Sequence, residues 1–415
     1  MKIFKFGGAS VKDAEGVKNV LNVLQHEGYK NTLIVISAMG KTTNAFEKII
    51  DSYYNKSSDL EQHIEDVRKF HFEIISNLFE IKNHPIYMEV EQLLGKLSGF
   101  LITNKSTSYN FIYDQIVGYG ELLSTKIVSA YLNDHKLNAN WIDVRDYIKT
   151  DSSYRDAKID WEQTSVKISK INTEQLYITQ GFIGSNSNQK TTSLGREGSD
   201  FTAAIFAYCL NAQSVTIWKD VHGVLNADPR YFQKTELLQQ ISYSEAIEMA
   251  FYGASVIHPK TLKPLENKNI PLYVRSFYSL TKNGTTVSKG HSLIPEVPCF
   301  ILKKNQILIS IAALDFSFMV ESNLSDIFKI LHNYKLKVNL IQNSALSFSV
   351  CIEDNYHNFQ QFLNEMKLKY NLNYTENVSL YTIRHATKES VKEIEHKGKI
   401  LLKQATKGTV QLVMQ

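Results

Sequence analysis

Two rhythms of apolar residues alternate along roughly the first 275 positions. The first is the short unbroken run: Ile3 to Phe6, Thr32 to Ile36, Leu176 to Gly184, Val215 to Trp218 and Pro271 to Arg275. Such runs, rich in β-branched residues, read as parallel strands buried on both faces. Asn140 to Val144 reads as a further strand. The second rhythm is helical. Ala14, Val17, Val20, Leu21 and Leu24 share one face of a helix predicted over 11–25 and closed by Gly28. Residues 43–137 read as mostly helical, and helices are predicted over 200–210 and 242–251. Strands alternating with helices, joined first by a right-handed crossover, predict an α/β domain with a mostly parallel sheet.

The pattern changes after residue 281. Asn283-Gly284, Lys289-Gly290, Pro295 and Pro298 make a turn-rich connector. Beyond it the elements shorten. Strands are predicted over 307–312, 338–342, 347–352, 378–384, 400–404 and 409–414, with helices over 324–334, 359–367 and 390–396. This is a small α+β region in which one module is nearly complete and a second is abbreviated.

Composition narrows the class. The 415 residues are 43% apolar and 21% charged, ordinary values for a globular protein with more than one domain. A net charge of +4 without Lys/Arg runs gives no reason to expect a nucleic-acid partner. Cys209, Cys299 and Cys351 are scattered, which fits a reducing compartment, and the twelve histidines do not cluster into a metal site. The chain begins in strand sequence and holds no apolar stretch of membrane-spanning length. We therefore expect a cytoplasmic protein with neither a signal peptide nor a membrane partner.

The candidate chemistry sits where strands end. Lys5-Phe6-Gly7-Gly8-Ala9-Ser10 is a strand running into a glycine turn, with a cation before it and a hydroxyl after it to cap the next helix. Glycines let backbone N–H groups approach an anion, so the turn reads as a phosphate site. Taken alone, it reads better as a tight strand-to-helix turn. Ser37-Ala38-Met39-Gly40-Lys41-Thr42-Thr43-Asn44 follows the second strand, with Thr42 or Thr43 as helix cap. In an open parallel sheet, ligands bind at that edge. Gly118-Tyr119-Gly120-Glu121 places Glu121 at a helix start, able to receive a substrate ammonium. Gly195-Arg196-Glu197-Gly198-Ser199-Asp200 presents Arg196 for two-pronged contact with a carboxylate. Lys219-Asp220 ends another strand and leads into Asn226-Ala227-Asp228-Pro229-Arg230. There Lys219 and Arg230 suit phosphates, whereas Asp220 or Asp228 suits a ribose or the loop itself. In Gly253-Ala254-Ser255-Val256-Ile257-His258-Pro259-Lys260, His258 reads as the cap of a helix with Pro259 at its first position.

Together these segments resemble the aspartate kinases, in that family's order, from residue 1 to about 275. The remainder resembles the family's paired ACT domains. The resemblance implies a three-layer αβα amino-acid-kinase domain over 1–280 and a linker over 281–304. It implies a regulatory region over 305–415, its first ACT module (about 315–380) inserted in a second made of 305–314 and 381–415. It implies transfer of the γ-phosphoryl group of ATP, carried with Mg²⁺, to the side-chain carboxylate of L-aspartate. The product, 4-phospho-aspartate, starts lysine, threonine and methionine synthesis. By resemblance Lys5 and Asp200 are catalytic. Gly7, Gly8, Ser10, Lys219, Asp220, Arg230, Ser255, Val256 and Lys260 face the nucleotide, and Ser37, Thr43, Glu121, Arg196, Gly198 and Ser199 face aspartate. No protein metal site is expected, since Mg²⁺ travels on the ATP phosphates.

The chain departs from the common pattern at Ala9, Glu197, Leu225 and Ser255, where threonine, glycine, tyrosine and lysine are frequent. Lys219 or Lys260 is expected to supply the charge missing at Ser255. Val338 to Ser344 resembles the ACT strand that lines effector pockets, so a homodimer and an amino-acid effector are expected. Two other readings stay open: a kinase of the same fold with another acceptor, and a non-catalytic amino-acid sensor.

Overall fold

The computed structural model describes every residue except 255, 256, 291 and 316. The chain forms two compact units. One comprises Met1–Val224, Leu237–Ile247 and Val256–Pro295; the other comprises Leu225–Glu236, Glu248–Ser255 and Glu296–Gln415.

The first unit is built on strands β1 (Lys2–Phe6), β2 (Thr32–Ile36), β3 (Asn140–Trp141), β4 (Leu176–Gln180), β5 (Ile183–Ser185), β6 (Thr191–Ser193), β7 (Ser214–Lys219), β8 (Gln240–Ser242), β9 (Leu272–Ser276) and β10 (Thr285–Ser288). Eight of them form one sheet in the order β3-β4-β2-β1-β7-β9-β10-β8, while β5 and β6 pair separately. Every pairing in the large sheet is parallel except β9 with β10. β2 and β4 are buried at every position, which accounts for their unbroken apolar runs. Register sets the site. Phe6 lies beside Ile36 and Trp218, and Ile36 beside Gln180. Gly7, Ser37, Gly181 and Lys219 therefore leave the sheet at one edge.

Helices Thr42–Tyr54, Leu60–Leu78, Ile86–Thr103, Tyr109–Val117 and Tyr119–Asp134 fill the region expected to be helical. The helix after the glycine turn, Ala14–Glu27, is capped by Asp13, whose Oδ1 accepts from the Gly16 N–H at 2.8 Å. Ser10 does not cap it; its hydroxyl donates to the Trp218 carbonyl at 3.2 Å. Nor do Thr42 and Thr43 cap the next helix, whose N-cap is Lys41. His258 does cap Pro259–Asn267, its Nδ1 accepting from the Lys260 N–H.

Several expected bounds need correction. The strand at 140–144 stops at Trp141, because Asp143 starts a helical turn by accepting from the Arg145 N–H. The strand at 176–184 breaks after Gln180. Phe182 takes φ 71°, and residues 183–185 turn off to pair with Thr191–Ser193. The turn-rich stretch 281–304 carries β10 and the beginning of a long strand.

That long strand, β11 (Cys299–Ala313), belongs to the second unit. With β12 (Lys337–Asn343), β13 (Ser347–Glu353), β14 (Tyr370–Arg384), β15 (Ile400–Thr406) and β16 (Thr409–Met414) it makes an antiparallel sheet in the order β12-β13-β11-β14-β16-β15. β11 and β14 run through both halves. Their apolar alternation breaks at Lys303-Lys304-Asn305-Gln306, where the pairing shifts register and Asn305 and Asn377 take positive φ. The helices Glu321–Asn333 and Phe359–Met366 pack against one half and Lys388–Glu395 against the other, giving two cores.

Candidate active site

The edge where β1, β2, β4 and β7 end opens into a cavity of about 450 Å³. Strand alternation turns Phe4 and Phe6 into the core and Lys5 to the opposite face. Lys5 is buried, and its ammonium lies 2.6 Å from Oδ1 of the equally buried Asp200; Lys219 stands 3.9 Å from Oδ2. Two cations converge on one carboxylate at the start of the helix Gly198–Leu210. The glycine turn follows directly. A side chain at Gly8 would meet the carbonyl oxygens of Ala38 at 2.8 Å and Gly40 at 3.0 Å, and the Gly40 N–H donates to the Gly8 carbonyl at 3.0 Å. These two strand exits are in contact, and only glycine fits between them.

Ser37, Thr43, Glu121, Arg196, Gly198 and Ser199, expected from the sequence to surround the acceptor, all line this cavity, together with Lys5, Asp200 and Lys219. Glu121 lies in the first turn of its helix and is 3% exposed. Its Oε1 accepts from the Ala38 N–H at 3.3 Å, and its Oε2 has no partner. Burial pushes the carboxyl up to about 8, against the opposing pull of the Ala38 N–H and the Lys5 charge. Close packing at Gly181 and Gly198 sets the loop: a side chain at Gly181 would overlap Ser199, and one at Gly198 would overlap Phe182.

Glu197 adds a negative charge. It adopts φ 53°, a conformation that favours glycine, and its Oε2 is buried without a partner. Burial and then Asp200 raise its affinity for a proton, while Lys219, Arg196 and Lys5 oppose them.

Some expected residues are not in the lining of this cavity. Asp220 is exposed beyond β7. Arg230 belongs to the second unit and is exposed, its guanidinium held by Asp228. Lys260 pairs with Asp156. Ser255 and Val256 lie outside the described residues. The sequence reading missed Tyr113, Arg155 and Ser193, which also line the cavity. They come from a helix, a loop and β6, with no motif to mark them. Among the described residues no group of three or more His, Cys, Asp or Glu can hold a metal. No helix there is long and apolar enough to cross a membrane.

Residues 1–276 match the amino acid kinase family. Lysine-sensitive aspartokinase 3 of Escherichia coli is 31% identical over 347 residues, covering 82% of this chain and 75% of that protein. The chain also matches bifunctional aspartokinase/homoserine dehydrogenases, spanning about a third of their length. Among solved structures, Escherichia coli aspartokinase III superposes over all of this chain and 96% of its own. Its complex with aspartate and ADP gives a TM-score of 0.83 at 27% identity, and its complex with lysine and aspartate gives 0.81 at 28%. The glycine turn, the paired lysines and the acceptor-side residues thus lie in a chain that belongs to the amino acid kinase family, among its aspartokinases.

Proposed function

We propose that this ATP-dependent aspartokinase works by holding two anions together rather than by moving protons. The converging charges of Lys5, Lys219 and Asp200 are the observation that carries this reading. A carboxylate acceptor has a pKa near 3.9 and arrives ionised, so no general base is required. The difficulty is repulsion between that carboxylate and the triphosphate. Phosphoryl transfer of this kind depends on positioning and charge stabilisation.

Asp200 orients Lys5 and Lys219, whose charges face the transferring phosphoryl group. The backbone at Gly7 and Gly8 approaches the phosphates without side-chain obstruction. Arg196 takes one carboxylate of aspartate, Glu121 gives up its proton as the substrate ammonium arrives and takes that charge, and Ser37, Thr43, Gly198 and Ser199 shape the pocket. Lys219 supplies the charge that Ser255 does not. The carboxylate in the phosphate region is already engaged by lysines, a donor set that suits Mg²⁺ bound through ATP; when present, the metal neutralises phosphate charge. ADP release with L-aspartate, glutamate, acetylglutamate and UMP as alternative acceptors tests the assignment. Aspartate is expected to be the preferred acceptor, and preference for another would overturn it.

Glu121 gives a pH signature. Its pKa stands at about 8 in the folded chain against an ordinary value of 4.5. Between those values the folded protein keeps a proton that the unfolded chain has released. The associated stability is complete below about pH 4.5 and is lost as pH rises through 8. In Glu121→Gln this dependence disappears, so its melting temperature gains on the parent's between pH 5 and 8. A gap that stays constant contradicts the assignment.

The second unit is proposed to be the effector and dimer region. Asn339, on the strand resembling effector-pocket strands, has both side-chain groups engaged. Its Oδ1 accepts from Lys303 at 2.8 Å, and its Nδ2 donates to Gln306 at 2.7 Å. Leu314, Phe318, Val320, Phe328, Ile341 and Leu346 are exposed apolar side chains crowded into 314–346, which supports a homodimer through this module. Titration with lysine, threonine and methionine is expected to shift the melting temperature for one of them. No shift and no change in activity would remove the effector, and a monomer by light scattering would remove the dimer.

A further inference from the structure

Arg155 belongs to none of the motifs, yet it stands in the wall of the acceptor cavity. Its backbone takes φ 72°, so a long side chain occupies a conformation that favours glycine. The loop is fixed there from three directions. The Arg155 N–H donates to Oδ2 of buried Asp114 at 3.0 Å. The same carboxylate holds the opposite strand, accepting from the Ser193 N–H at 2.8 Å and the Ser193 hydroxyl at 2.6 Å. On either side in sequence, the Tyr154 ring meets Phe111 edge-on and Asp156 pairs with Lys260.

The guanidinium itself is oriented by rings. Its carbon lies 4.2 Å from the centroid of Tyr113 and 5.8 Å from that of Tyr109. Tyr113 is in turn anchored by its hydroxyl, which donates to Glu47 at 2.9 Å. Among the described residues no carboxylate lies within ion-pair distance of Arg155. A guanidinium held by aromatic faces keeps its N–H fork available to an incoming carboxylate.

Aspartate carries two carboxylates. The one to be phosphorylated must reach Lys219 and the buried Lys5, which leaves the α-carboxylate on the exposed side, where Arg196 and Arg155 stand. We propose that Arg155 binds the α-carboxylate of aspartate together with Arg196, so that two guanidinium groups hold the end of the substrate that is not phosphorylated. This rests on the acceptor reading of the cavity given above.

The test is Arg155→Gly, since glycine accepts the positive φ, with Arg155→Gln as a second variant that keeps the chain length. Losing a charged hydrogen-bonding partner is expected to raise KM for aspartate by about tenfold to a hundredfold, with kcat and KM for ATP within about twofold. Calorimetric binding of aspartate without nucleotide should weaken by the same factor. With the α-amide of aspartate, which lacks that charge, parent and variants should differ by less than about twofold. Unchanged aspartate affinity in either folded variant overturns the proposal, as does an equal loss with the α-amide. A parent enzyme that neither binds nor phosphorylates aspartate defeats the acceptor reading instead.

Discussion

Lys5→Met is expected to lower kcat by about a thousandfold, within the range found when a preorganised charge is removed from a transition-state site. Methionine keeps the unbranched chain and loses only the ammonium. The loss falls on chemistry, because Lys5 is the buried cation 2.6 Å from Asp200, whereas Lys219 is partly exposed and further away. The fold also suffers. Asp200 is left with Lys219 alone at 3.9 Å, and stranding a buried charge costs about 3 kcal/mol. Asp200→Asn in the same background should restore most of that stability and none of the activity. Single-turnover rates and chemical denaturation of the two variants separate these effects. A Lys5→Met enzyme within tenfold of the parent would remove Lys5 from the mechanism.

The second large effect is expected at Gly8. An added Cβ would lie 2.8 Å from the Ala38 carbonyl oxygen and 3.0 Å from that of Gly40, and neither backbone atom can move alone. Gly8→Ala should part the loops after β1 and β2. A misplacement of about 1 Å costs on the order of a hundredfold in rate, so kcat/KM for ATP should fall by about that factor. Overpacking should also cost about 1–3 kcal/mol of stability. Gly7 provides the contrast. A Cβ there meets only the Lys5 ammonium, at 3.4 Å, so Gly7→Ala should cost much less stability. Equal losses of stability at the two glycines would show that the contact between the loops does not hold this edge together.

Both effects concern residues that the sequence marks, and the physical reason is common to them. A strand that ends in glycines beside a lysine leaves a trace in one dimension: an apolar run, then residues with no Cβ. The acceptor loop from Gly195 to Asp200 leaves a similar trace. Arg155 leaves none. Its place depends on a positive φ, on the Tyr113 ring and on Asp114 joining two distant segments, and no local pattern encodes these. Ser10 departs from the cap expectation for a related reason. Its spacing suits a cap, but Asp13 occupies that role and the Trp218 carbonyl lies close enough to take the hydroxyl. In the second unit the helices were legible from their apolar spacing. β11 and β14 extend beyond their apolar runs, because polar residues at the register shift interrupt strands that continue through it. Glu197 was visible as a departure, while its buried, unpartnered oxygen was not.

The central claim is that this cavity brings the side-chain carboxylate of aspartate to the γ-phosphate of ATP. Trapping with hydroxylamine measures it most directly, since an acyl phosphate is converted to a stable hydroxamate. The expected result is aspartate β-hydroxamate formed in step with ADP, and lost in Lys5→Met. ADP release without hydroxamate, or none of either from folded protein, would contradict the account.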